Sequence, residues 1–269
     1  MELIKNTSRF PEVGSCIYCG SNDELTDEHI IPFALGGKLI LPKSSCIECN
    51  SITSKFERRV LRGFMLPIRT SVEYPTRKPK NRPKDFEFEV VEDGIKKTIV
   101  MDANNFPAIL FLPEFNTPGI FNNRKSKGNF QVVATEIIKS GKDPDFFFRK
   151  YGFEKLKIST KVDPYSFVRM LAKIGYSYYV GVAGKLPLED VSILPFLLGN
   201  SDDGDYWIGS TAFPDENDFT NIPHYISYNK YPSYTNPKIY LDVVHIVLFA
   251  SAGASGYDVV IRSYNAWLE

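Results

Sequence analysis

What this chain lacks narrows the reading first. It has no net charge, 32 Lys and Arg balancing 32 Asp and Glu, so no global field marks it for a nucleic-acid partner. It has no apolar run long enough to cross a bilayer. The longest candidate, 240–254, is interrupted by Asp242 and His245 and falls short of the ~20 residues a membrane helix needs. Residues 1–13 show neither a basic stretch leading into an apolar one nor a cleavage-like site, and read as no signal peptide. Internal repeats and low-complexity tracts are absent. These absences predict a soluble, cytoplasmic protein that does not engage a membrane. Cysteine is scarce as well, with four in the chain, too few for a disulfide-dense secreted scaffold.

What is present is unevenly placed. With 269 residues, 43% of them apolar and 14% aromatic, the chain has material for two packed domains. Residues 55–84 carry ten Lys or Arg against two acids, a stripe of +8 balanced by −8 elsewhere. A local basic stripe on a neutral protein is expected where one face alone meets phosphate.

All four cysteines fall in two CxxC pairs, Cys16/Cys19 and Cys46/Cys49. A CxxC knuckle aims two sulfurs at one tetrahedral ion, and two knuckles close a four-sulfur shell with no vacant position. That composition predicts a structural zinc rather than a catalytic one. Disulfides do not suit an intracellular chain, and redox chemistry at CxxC wants a βαβ context that is missing. An iron–sulfur cluster is the remaining alternative.

The text between the pairs predicts short strands at 30–31, stopped by Pro32, and at 38–41, separated by the Gly36-Gly37 turn. Ser44 or Ser45 is the expected N-cap of a helix running through Cys49 to about Leu61, with Ile52, Phe56, Val60 and Leu61 at helical spacing. The order is knuckle, hairpin, knuckle, helix. With CIYCG, TDEHIIPFALGG and SCIECNSITSKFE in sequence, residues 14–62 resemble the four-cysteine branch of the HNH endonuclease family.

The chemistry of such a site can be argued from the residues. Phosphodiester hydrolysis needs an activated water and a cation against the charge building on phosphate. His29, the only histidine of the segment, is a competent general base near neutral pH. The resemblance implies further roles: Glu28 before it and Asn50 after the last cysteine would hold a catalytic Mg²⁺ or Mn²⁺, with double-stranded DNA as the partner. It also implies a setting in restriction, phage defence or a mobile element. One departure stands out. The family's Asn shortly before the second CxxC is absent from 39–43, so Ser44, Ser45 or a backbone carbonyl must hold the imidazole.

Competing roles attach to several of these residues. Asn50 could simply cap the helix, Glu57 could support the metal site or hold Lys43, and Asp27 reads as a turn residue. Arg58, Arg59, Arg62 and Lys43 are the expected nucleic-acid contacts. The proline-rich stretch 67–84 is expected to be extended, serving as linker or phosphate-following strap.

Residues 85–269 predict an α+β domain with mostly antiparallel sheet. Strands are expected at 86–91, 97–101, 108–112, 128–135, 239–250 and 257–263. A helix of about sixteen residues should open at Asp163-Pro164, with Phe167, Met170, Leu171, Ile174 and Tyr178 as its core stripe. His245 is expected as a core or cross-strand residue and His224 as an incidental loop residue. Asp202, Asp203 and Asp205 around Gly204 are expected as a solvated turn. The domain's role is open between recognition, sensing and homodimer formation. Beside the nuclease stand two further readings: a catalytically silent nucleic-acid-binding or regulatory protein, and a nuclease that waits on a ligand or on oligomerisation.

Overall fold

The computed structural model describes residues 8–141, 144–152, 155–157, 161–211 and 223–265; the start read above for a leader lies partly outside them. The N-terminal sheet has the order β1 (Ser8–Arg9), β3 (Leu39–Ser45), β2 (Thr26–His29). Helix α1 (Ile47–Arg62) follows it directly.

The hairpin is shifted from its expected place. Strand β2 ends at His29, and the Ile30 N–H makes a last bond to the Leu39 carbonyl at 3.1 Å. Pro32 then starts a 3₁₀ turn, Phe33–Leu35. The reversal needs both glycines. Gly36 sits at φ +77°, and a Cβ on Gly37 would lie 1.9 Å from the Ile31 carbonyl oxygen. The helix cap is corrected too. Cys46 is the N-cap, its sulfur accepting from the Cys49 N–H at 3.5 Å. Ser44 and Ser45 belong to β3, with hydroxyls donating to the Leu41 and Cys46 carbonyls.

The proline-rich stretch is less extended than its composition implies. Helix α2 (Leu66–Ser71) forms because Pro67 occupies the first turn, where no intrahelical N–H is required. Arg69 then staples α2 down, donating to the Ala34 and Leu61 carbonyls at 2.6 and 2.5 Å.

Beyond it, β4 (Asp85–Glu92) pairs with β5 (Ile95–Asp102) and β8 (Lys155–Lys157), and β6 (Pro107–Phe115) with β7 (Val132–Gly141). A four-stranded antiparallel sheet has the order β10 (His224–Pro232), β11 (Ile239–Leu248), β12 (Gly256–Asn265), β9 (Ile208–Thr211). Strand β7 starts four residues later than expected, and β9 and β10 have no counterpart in the expectation. Three short helices accompany the sheets, α3 (Pro144–Tyr151), α5 (Leu194–Leu198) and α6 (Gly204–Trp207).

The organising element is helix α4 (Pro164–Ala183). Asp163 caps it by accepting from the Ser166 N–H at 3.0 Å. One flank packs on the sheet, where Gly175 lets the helix approach so closely that a Cβ would lie 2.9 Å from Val259. The other packs on the cysteine module. Tyr176 donates to the Ile17 carbonyl at 2.8 Å, and Phe167 stands edge-on to Phe64. One hydrophobic core therefore runs from Cys16, Ile17 and Val60 through Phe167 and Ile174 to Val259.

Outside the module, His245 is cross-strand as expected, its Nδ1 3.0 Å from Asp258 on β12. The acidic turn is not solvated as a whole. Asp205 is buried, ion-paired with Arg124 at 3.0 Å and bonded to the Lys127 N–H and the Ser126 hydroxyl, because a buried carboxylate must find donors. His224 is not incidental. It opens β10 and clamps two segments: Nδ1 accepts from the Phe249 N–H, so Nε2–H donates to the Leu35 carbonyl at 2.6 Å.

Burial pushes the pKa of His224 down to about 4, below the ~6.5 of an unfolded chain. The unfolded state therefore binds the extra proton between these values, and native stability falls as pH drops from about 6.5 to about 4. Urea midpoints measured across that window should decline, and less steeply in His224→Phe. Parallel slopes for the two proteins would show that His224 contributes nothing.

Candidate active site

The cysteine knuckles are set by backbone bonds. The Cys16 N–H donates to the Ser21 carbonyl and the Gly20 N–H to the Cys16 carbonyl, while the Ile17 N–H reaches the Ser44 carbonyl at 2.8 Å. That last bond pins the first knuckle beside the second. The four sulfurs lie within 4.8 Å of one another, Cys19 and Cys46 at 3.6 Å. Sulfurs at ~2.3 Å from a tetrahedral ion stand about 3.8 Å apart, so the set can hold zinc. Burial raises the Cys19 and Cys49 thiols, whereas the Cys49 N–H and the neighbouring thiols outweigh burial and lower Cys46.

The pleat of β2 separates Glu28 from His29. Glu28 points inward and is 6% exposed. Its Oε1 lies 2.7 Å from Lys173 Nζ, and its Oε2 accepts from the Tyr18 hydroxyl at 3.1 Å. Lys173 comes from α4, is itself buried, and also donates to the His29 and Ile30 carbonyls. Its other charged neighbour is Glu57 of α1, 3.0 Å away. That pair is close enough for attraction, but Glu57 Oε1 makes no hydrogen bond. Burial alone would push Lys173 down; Glu28 and Glu57 outweigh it and keep the ammonium charged. Burial raises Glu57 despite Lys173 beside it.

His29 faces the other way. It packs against Phe33 at 5.6 Å between ring centres, and its Nδ1 is buried without a partner. Burial, then Lys173 and Arg77, lower its pKa, which keeps the imidazole in its basic form. Ser44 and Ser45, expected to orient the ring, bond elsewhere. The packing of Phe33 and the Lys173 bond to the His29 carbonyl hold this residue instead.

A cleft of about 540 Å³ opens over these groups. His29, Asn50, Glu28, Glu57 and Lys173 border it, and its further cations are Arg58, Arg62, Arg69, Arg77, Lys78 and Arg82. Helix α1 and the stretch from Leu66 to Pro83 thus deliver six positive side chains to one concavity. Residues 16–65, which carry the four cysteines, the hairpin and α1, match the family described as HNH endonuclease. The module is an HNH endonuclease-family domain. No curated protein and no solved structure matches the chain. Among the described residues no helix is long and apolar enough to cross a membrane.

Within this HNH module the anticipated residues are distributed unequally. His29 and Asn50 both line the cleft; Asn50 gives its Nδ2 to Thr26 Oγ1 at 3.2 Å, leaving Oδ1 for another partner. Glu28 does not present an open carboxylate, because Lys173 and Tyr18 take its two oxygens. Arg58 and Arg62 line the cleft, whereas Arg59 and Lys43 do not. Lys43 pairs with Glu12 at 3.6 Å rather than with Glu57. Asp27 sits at the bulge of β2 and holds Arg9 at 2.6 Å.

The chemistry of the donor set fits a hydrated hard cation in part. Glu57 Oε1 is a buried oxygen that forms no aligned hydrogen bond although Lys173 Nζ lies 3.0 Å away, and Asn50 lines the same cleft with a free amide oxygen. A Mg²⁺-like ion prefers such oxygen ligands. Sequence reading missed Lys173 and Tyr18. The visible signal was a lysine inside the apolar stripe of α4, between Met170 and Ile174, since a buried ammonium requires a buried acid.

Proposed function

We propose that the protein is a metal-dependent endonuclease that hydrolyses phosphodiester bonds in DNA, with His29 as the general base. The observation that carries this reading is an imidazole with an unpartnered Nδ1, its pKa lowered, bordering a cleft lined by six cationic side chains besides Lys173. His29 would take the proton from the attacking water. Arg58 and Arg62 would bind the flanking phosphates, and the strap residues Arg77, Lys78 and Arg82 would extend that path. Asn50 would hold a divalent ion, Mg²⁺ or Mn²⁺, together with Glu28 once that carboxylate is released from Lys173. When bound, such an ion supplies charge to the phosphate and its departing oxygen.

Plasmid incubated with purified protein and Mg²⁺ or Mn²⁺ should be nicked or cut, and His29→Ala should abolish the cleavage. Equal cleavage by both proteins, or none by either across several metals, counts against the reading. DNA affinity should fall with added salt. Arg58→Ala combined with Arg62→Ala should reduce the slope of log K against log salt by about one for each phosphate these arginines neutralise; an unchanged slope removes them from the interface.

One observation favours the second reading, a catalytically silent nucleic-acid-binding protein. Glu28 is already neutralised by an internal ammonium. Salt-dependent DNA binding without cleavage in any metal would support it.

A further inference from the structure

Glu28 on β2 and Glu57 on α1 both belong to the HNH module, yet the cation between them does not. Lys173 Nζ lies 2.7 Å from one carboxylate and 3.0 Å from the other, and its side chain is 1% exposed. It reaches them from α4, more than a hundred residues beyond the module. With both acids ionised, two negative charges face one positive, and Tyr18 adds only a neutral hydroxyl. Glu57 Oε1 is buried, faces Lys173 Nζ at 3.0 Å and forms no aligned hydrogen bond with it. Asn50 borders the same cleft. An ammonium and a hydrated divalent ion are stabilised by the same oxygen donors.

We propose that Glu28 and Glu57 together form the floor of the divalent-ion site, and that Lys173 is its built-in competitor. The inference rests on the reading that this cleft takes a divalent ion. Its consequence is that ion affinity is set from α4, outside the module, through the fraction of molecules in which Lys173 has let the carboxylates go. The state in which Lys173 holds both acids cannot offer them to an ion, and apparent affinity scales with the fraction that can. Lys173 is a positioning residue: it also bonds the carbonyl of His29 and thereby fixes the strand that carries the base.

The test is binding of Mn²⁺ to the zinc-loaded full chain, read from the EPR signal of the free ion without nucleic acid. Lys173→Met should bind Mn²⁺ on the order of a hundred-fold more tightly than wild type, because a buried, doubly paired ammonium is released in only a small fraction of molecules. Adding Glu28→Gln should cancel the gain. A Lys173→Met protein that folds only with Mn²⁺ present is the same result in stronger form.

If that variant fails to fold with any ion, Glu57→Gln decides, since it keeps the Lys173–Glu28 pair; it should bind Mn²⁺ several-fold more weakly than wild type. Wild-type affinity in Lys173→Met, or unchanged affinity in Glu57→Gln, overturns the proposal. Plasmid cleavage scored on the same preparations keeps the two readings apart. Cleavage by wild type with unaltered Mn²⁺ affinity in the variants removes the competition alone. The expected affinities without cleavage remove the nuclease alone.

Discussion

Cys49→Ser, or stripping the metal with a strong chelator, should unfold residues 16–65 rather than merely loosen them. Cys49 has two roles at the knuckle: its sulfur belongs to the four-sulfur cluster and its N–H bonds Cys46 Sγ at the helix start. The module is small, and a structural zinc contributes about 10–16 kcal/mol of apparent binding free energy in isolated fingers. That matches or exceeds the whole stability of an ordinary domain, ~5–15 kcal/mol. Loss of the module would also uncover the α4 flank that carries Phe167, Lys173 and Tyr176, because those residues pack on Phe64, Glu28 and Ile17. Metal analysis of wild type should find one zinc per chain, and hydrogen exchange should show protection lost across 16–65 in Cys49→Ser. Retained protection in the variant, or iron in place of zinc, would contradict the assignment.

Lys173→Ala should cost about 3–5 kcal/mol, the range for removing one partner of a buried ion pair and leaving the other uncompensated. The magnitude follows from where the pair sits. Arg9 and Asp27 are equally close, 2.6 Å, but their side chains are 53% and 41% exposed, and such a pair contributes at most ~1 kcal/mol. Lys173 and Glu28 are 1% and 7% exposed, so water replaces little of what the ammonium supplies. Glu28 would face only Tyr18, and the carbonyls of His29 and Ile30 would lose their donor. Urea denaturation should therefore separate Lys173→Ala from Arg9→Ala by several kcal/mol. The triple change Lys173→Met, Glu28→Gln, Glu57→Gln should recover much of the loss, since well-packed neutral groups can replace a buried ion cluster without penalty. A Lys173→Ala protein as stable as Arg9→Ala would mean that the ammonium is not buried between the acids.

The elements legible in the sequence are those whose signals are local. Two CxxC pairs, a GG turn and a helical period from Phe56 to Leu61 suffice for the module. Asp163-Pro164 and the stripe from Phe167 to Ile174 suffice for α4. What escapes is set by contacts distant in the chain. Strand β10 mixes Tyr, Ser, Asn and Lys along its length, and takes its order from pairing with β11, His224 opposite Leu248 through Pro232 opposite Tyr240. His224 reads as incidental because its two partners, Leu35 and Phe249, lie 189 and 25 residues away. The first strand is expected too late because Ile30 and Ile31 carry the apolar signal, while the strand itself ends at His29.

From its residue order alone, this protein is a chain with four cysteines paired to hold one metal ion, an acid–histidine pair on a hairpin, and a cationic stretch behind them. Those properties depend on chemistry carried within a few residues, and short-range geometry is enough to express them. Only the packed structure shows that the acid of the pair turns inward to an ammonium from α4, that Glu57 joins it, and that Arg69 to Arg82 fold over the cleft holding His29. Charges pair across whatever distance the core closes, and no pattern along the chain specifies which helix will supply the partner.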